Sequence, residues 1–137
     1  MRDGTLYFTN SGEGIFAKMP IHEDGTPAGP TSIIARAPAD GYFDDFTVRG
    51  EFAYLVTGSG NSVEKVRLDG RGKQTIVAGS LNSTTLAGPT AVAFGRTARD
   101  MDVLYVVTSG GLAVPVDEGG QEKRVGAQVV AVDLSKC

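Results

Sequence analysis

One segment recurs three times in this chain, and that recurrence limits the folds open to it. Leu6-Tyr7-Phe8-Thr9, Ala53-Tyr54-Leu55-Val56-Thr57 and Leu104-Tyr105-Val106-Val107-Thr108 are variants of one run rich in aromatic and β-branched residues. Their tyrosines stand 47 and 51 residues apart. Each run leads through a Ser-Gly or Gly-Ser pair to a second strand-like run, at residues 15–21, 63–68 and 128–134. Two of these second runs end in Asp-Gly turns, Asp24-Gly25 and Asp69-Gly70. A meander of up to four strands repeating every ~50 residues has the size of one blade of a β-propeller.

The remaining residues fit the same scheme. Strand-like runs also occur at residues 32–35, 46–48, 74–78 and 90–94, so ten strands are expected. Glycine, 19 of 137 residues, punctuates them, and no capped stretch of helical period interrupts them. The expected fold is all-β: a β-propeller of four-stranded antiparallel blades, about three blades, or half of a six-bladed ring. A single domain over 1–137 divides into blades at about 1–40, 41–80 and 86–137. Counted outward from the propeller axis, the central blade is complete, the first begins at its second strand, and the last stops at its third. Such an arc leaves blade faces open, so self-association or pairing with a complementary propeller half is expected.

Composition excludes several functions. With 13 Lys+Arg against 16 Asp+Glu, the chain has no excess of positive charge to neutralise phosphates, so no nucleic acid is expected as a partner. No apolar run reaches the ~18 residues of a membrane span, so no membrane is expected either. A single cysteine, Cys137, rules out an internal disulfide and a cysteine-built zinc site. A single histidine, His22, makes a Ser-His-Asp triad within one chain implausible. The start, Met1-Arg2-Asp3-Gly4, lacks the apolar core of a signal peptide. The expectation is a cytoplasmic chain as written, or a piece of a longer one.

Several motifs carry a family resemblance. Gly88-Pro89-Thr90-Ala91-Val92-Ala93-Phe94-Gly95-Arg96 followed by Leu104-Tyr105-Val106-Val107-Thr108 resembles the final-blade signature of the senescence marker protein/gluconolactonase-like (regucalcin-like) family, with Arg96 in place of a glycine. Asp44-Asp45-Phe46, with Gly50 and Ala53-Tyr54-Leu55, is similar to the pattern of fungal members. Tyr7-Phe8-Thr9-Asn10-Ser11 resembles a strand of an earlier blade. The resemblance spans nearly the whole chain but only the C-terminal half of a family member. It implies a six-bladed propeller with one divalent cation, calcium or zinc, at the mouth of its channel. Of the four implied metal ligands only the aspartate maps here, onto Asp44 or Asp45. The set is incomplete, so the absence of any bound cation is the alternative expectation.

Asp44 and Asp45 open the inner strand of the central blade, where one carboxylate would face the axis as metal ligand or general base. The plainer alternative is a turn-forming pair at the strand start. Tyr42, after Asp40-Gly41, and Thr90, which begins the inner strand of the last blade, are candidates to bind a small-molecule substrate. Each also suits a purely structural role, as a covering loop aromatic and a strand entry. Residues 112–126, with Pro115 and Asp117-Glu118-Gly119-Gly120, break the repeat and suit a flexible surface loop or a lid. The expected function is that of a lactone or ester hydrolase with half its site in this chain. The alternatives are a metal-independent propeller enzyme of fungal secondary metabolism, of pericyclase or isomerase type, and a non-catalytic ligand-binding fragment.

Overall fold

Short strands paired with their sequence neighbours build the molecule. The computed structural model describes residues 1–38 and 41–136, so Asp40 and Cys137 lie outside the described residues. Strands β1 (Thr5–Asn10), β2 (Ile15–Pro20) and β3 (Ser32–Arg36) form a first antiparallel sheet in that order. Strands β4 (Phe43–Arg49), β5 (Phe52–Thr57), β6 (Ser62–Arg67) and β7 (Thr75–Gly79) form a central four-stranded sheet, again in chain order. Then follow β8 (Pro89–Phe94), β9 (Val103–Thr108), β10 (Val116–Asp117), β11 (Glu122–Lys123) and β12 (Val129–Asp133). The last large sheet has the order β12-β9-β8, and β10 and β11 pair as a hairpin. The only helical element among the described residues is a 3-10 turn at Leu134–Lys136. Among the described residues no helix is long and apolar enough to cross a membrane.

Turn chemistry explains where the strands stop. Gly50, between β4 and β5, has φ 59°, and Gly70, after β6, has φ 76°. A side chain at either position would strain the left-handed backbone these reversals need.

The repeat in the sequence is a repeat in register. Tyr7 stands opposite Lys18, Tyr54 opposite Lys65 and Tyr105 opposite Ala131. Thr9 faces Phe16, Val56 faces Val63, and Val107 faces Val129 in the same way. Each sheet therefore has a tyrosine-bearing face and an opposite face one residue out of step. The tyrosine face of one sheet packs on the opposite face of the next. Tyr7 and Phe16 of the first sheet meet Phe43, Phe46, Ala53, Leu55 and Val66 of the central sheet. Tyr54, Val56 and Val63 of the central sheet meet Val92, Leu104 and Val106 of the last. Ring contacts fix both seams: Phe16 lies 4.8 Å from Phe46, and Tyr54 meets Phe94 edge-on at 5.1 Å.

All ten expected runs lie on strands, and the three sheets have the expected strand orders. Two expectations need correction. The inner strand of the central sheet begins at Phe43, which already pairs with Thr57, so Asp44 and Asp45 stand inside it and not at its entry. Residues 112–126 are not simply a surface loop. Val116 is buried, β10 pairs with β11, and Lys123 forms an ion pair with Glu118. Burial of one valine and closure of a hairpin give this stretch its own anchor.

Candidate functional site

The two adjacent acids sit on a β-bulge. Pairing of β4 with β5 slips between Phe43 and Phe46, which leaves Asp44 and Asp45 without partners on β5. The bulge is clamped from both sides. From the first sheet, the Thr9 hydroxyl donates to the Asp44 carbonyl and the Ser11 hydroxyl to the Phe43 carbonyl, both at 2.8 Å. From the last sheet, the Val92 amide donates to Asp45 Oδ2 at 3.0 Å. Backbone and side-chain hydrogen bonds of this kind hold a bulge in one geometry.

The clamp divides the roles of the two acids. The carboxylate of Asp45 is engaged in tying the central sheet to the last. The Asp44 carboxyl is half-buried and takes no hydrogen bond among the described residues. Burial, with a smaller contribution from the neighbouring Asp45 charge, holds Asp44 above the usual carboxylate range. Asp44 therefore keeps a proton to a higher pH than an exposed aspartate, and it can donate one as well as accept one.

The last sheet repeats the bulge with different chemistry. Pairing of β8 with β9 slips between Pro89 and Ala91. Pro89 stands opposite Thr108 as Phe43 stands opposite Thr57, so Thr90 is the register equivalent of Asp44. Thr90 is exposed, and its hydroxyl reaches the Val107 carbonyl at a long 3.4 Å. Tyr42 leans elsewhere: its ring fills the space that a side chain at Gly58 would need, and its carbonyl accepts from the Gly58 amide at 3.2 Å. The structure thus places Asp44 and Thr90 at matching points on neighbouring inner strands and lays Tyr42 over the turn after β5. Thr9 and Ser11 escaped the sequence reading. They lie in the Tyr-Phe-Thr-Asn-Ser motif, but nothing local shows that their hydroxyls reach a strand more than thirty residues away.

A hard cation is a poor fit to these residues. Calcium takes six to eight oxygens. Asp45 is already engaged, and among the described residues no three His, Cys, Asp or Glu side chains gather to hold a metal ion. Two hollows between the sheets lie toward the other end of the inner strand. One of about 510 Å³ is lined by Tyr7, Phe46, Val48, Arg49 and Gly50. A second of about 380 Å³ is lined by Val48, Arg49, Phe94, Arg96 and Met101.

Serial packing of antiparallel sheets, each handing its tyrosine face to the next, defines an all-β propeller fold. Solved structures agree. The chain is similar to a luciferin-regenerating enzyme, with a TM-score of 0.63 at 18% identity, over 93% of this chain and 40% of that one. It is also similar to a calcium-binding protein, regucalcin from Agrobacterium tumefaciens, with a TM-score of 0.58 at 16% identity, over 95% of this chain and 43% of that one. In sequence it is 34% identical over 117 residues to a proposed hetero-Diels-Alderase from Phoma sp, covering 84% of this chain. The chain spans 33% of that relative's length. No family model matches it.

Proposed function

We propose that Asp44 is the reacting carboxyl of a propeller enzyme that closes rings in small carbonyl compounds, and that this chain carries one wall of the site. The observation that carries the reading is the Asp44 carboxyl itself: half-buried, without a hydrogen-bond partner among the described residues, pushed toward its protonated form and fixed on a clamped bulge. A protonated carboxyl donates to the carbonyl oxygen of an α,β-unsaturated ketone or aldehyde. That draws electron density from the conjugated system and speeds its addition to an electron-rich alkene. The rest of the acceleration comes from holding the two reacting π-systems together. The Thr90 hydroxyl, at the matching point of the next inner strand, is placed to orient the same substrate. Similarity to the Phoma sp relative supports this class of reaction. No step requires a metal, in keeping with the poor donor set.

One observation favours a second reading, lactone or ester hydrolysis with Asp44 as general base. A carboxylate whose pKa is raised is a better base near working pH. Two substitutions separate the readings. The probes are an α,β-unsaturated ketone with a vinyl ether for cycloaddition, and dihydrocoumarin for hydrolysis. Asp44→Asn keeps a donor but loses the base, so cycloaddition should survive within about tenfold while hydrolysis falls by ~10²-fold or more. Asp44→Ala should lose both. Equal rates for wild type and Asp44→Ala with both probes would overturn both readings.

A further inference from the structure

The turn between β5 and β6 ends on Asn61, whose backbone is left-handed, with φ 50°. The first sheet has Gly14 at the equivalent point, just before β2, with φ 62°. Glycine takes that conformation without strain and most other residues do not, so asparagine adds something besides the turn. Its side chain shows what that is. Asn61 is 2% exposed, and both of its side-chain polar atoms reach the connection between β7 and β8. Nδ2 donates to the Leu81 carbonyl at 2.7 Å, and Oδ1 accepts from the Gly88 amide at 2.9 Å. Leu81 follows the outer strand of the central sheet, and Gly88 precedes the inner strand of the last. One buried side-chain amide therefore fastens both ends of the crossover from one sheet to the next.

Two grips from the central sheet bracket Thr90. Asn61 holds the amide of Gly88, two residues before it, and Asp45 Oδ2 accepts from the amide of Val92, two residues after it, at 3.0 Å. Thr90 stands on the bulge between them, without a register partner on β9. The Gly88 carbonyl is held as well, by the Ser109 amide at 2.8 Å and the Ser109 hydroxyl at 3.0 Å. Asp44 adjoins Asp45 on β4. The sheet that carries Asp44 thus also fixes the strand that carries Thr90.

We propose that Asn61 is a positioning residue of the site: together with Asp45 it sets where Thr90 stands relative to Asp44. The inference rests on the reading of Asp44 and Thr90 as the groups that meet the substrate, and it adds the residue that keeps the two in step. Asn61 does not touch the substrate. It acts through the Gly88 amide on the backbone two residues from Thr90. Support of this kind decides whether a contacting group is held in productive geometry. A misplacement of ~1 Å at such a group can cost about 10²-fold in rate.

Asn61→Gly tests this in the full chain, because glycine keeps the left-handed turn and removes both side-chain bonds. Val63→Ala is the control: Val63 is fully buried in the same seam, and its loss weakens packing there without removing a hydrogen bond to Gly88. With the unsaturated ketone and vinyl ether as probe, Asn61→Gly should lower kcat/KM by ~10-fold. Val63→Ala should leave it within about twofold. In a Thr90→Ala background, Asn61→Gly should cost less than about twofold, because the two residues act as one unit. The full loss persisting in that background would overturn the proposal, and so would equal losses from Asn61→Gly and Val63→Ala. The carbon-13 methyl signal of Thr90 reads its position without turnover: it should move in Asn61→Gly and stay in place in Val63→Ala. If wild type turns over neither this probe nor dihydrocoumarin, the reactions assigned to Asp44 fall, and the methyl signal alone decides. A Thr90 signal unmoved by Asn61→Gly would then overturn the positioning role. If Asn61→Gly lacks a folded β-sheet circular dichroism spectrum, Asn61→Ser, whose side chain is too short to span both partners, is measured in its place.

Discussion

The central and last sheets share a register and differ in what covers them. Tyr54 is 7% exposed and meets Phe94 edge-on, whereas Tyr105, its equivalent, has its hydroxyl bonded to Asp100 at 3.2 Å and its ring face open. The strand pattern is the same in both, so local sequence fixes the side on which a tyrosine lies but not its burial. Burial depends on whether a further sheet packs there. The inner strands differ in a parallel way: the bulge of the central sheet carries two acids, and the bulge of the last carries Thr90. Scaffold and chemistry vary independently, as they do when function is grafted onto a repeated fold.

The sharpest break of that comparison is to cut both tyrosines back. Tyr54→Ala should lower unfolding free energy by about 3 kcal/mol, because it removes a large buried side chain and its ring contact. Tyr105→Ala should leave the urea midpoint of the dilute chain where it was. Similar losses from the two would mean that Tyr105 is already covered under those conditions.

Asp45 should give the next largest effect. Replacing it with Ala leaves the Val92 amide without its acceptor and cuts a tie between the central and last sheets, at a cost of about 2 kcal/mol. Thr90→Ala, at the other bulge, should change stability by under ~0.5 kcal/mol, since that hydroxyl is exposed and its bond long. Denaturant unfolding of the two variants side by side checks the difference. Asp45→Asn, which keeps an acceptor oxygen, should recover part of the loss.

These assignments show how far the residues alone could lead. The tyrosine repeat places every large-sheet strand and the order within each sheet, because hairpin pairing is local and the glycine turns are explicit. The division of labour between Asp44 and Asp45 is not local. It depends on Thr9 and Ser11 upstream and on Val92 downstream, and no spacing rule connects those three to a bulge. Val116 was hidden for a similar reason. A single buried valine in a Gly-rich stretch has no period to betray it, and its burial depends on contacts made only after folding. The acids were legible as a candidate site; which of the two carboxyls lacks a hydrogen bond among the described residues was not.

Glu64 and Val130 make the finest comparison, since Glu64 stands opposite Leu55 as Val130 stands opposite Val106. The central sheet thus buries a carboxyl where the last sheet has an alkyl group. Gln74 Nε2 donates to Glu64 Oε2 and also to the Arg36 carbonyl at 3.0 Å, which ties the outer strands of the first and central sheets together. Burial pushes the Glu64 pKa up, and the Gln74 hydrogen bond offsets part of that push. A carboxyl whose folded-state pKa exceeds its unfolded value stabilises the fold fully only below the unfolded value, roughly 4.3. That contribution fades as pH climbs through the raised folded value. Glu64→Gln should therefore match or fall below wild type in mild acid and overtake it near neutral pH. The gap should open above the unfolded pKa and level off once the folded group has ionised. A gap that runs the other way with pH would mean that the Gln74 hydrogen bond outweighs burial, and that the central sheet gains from carrying an acid where the last sheet carries valine.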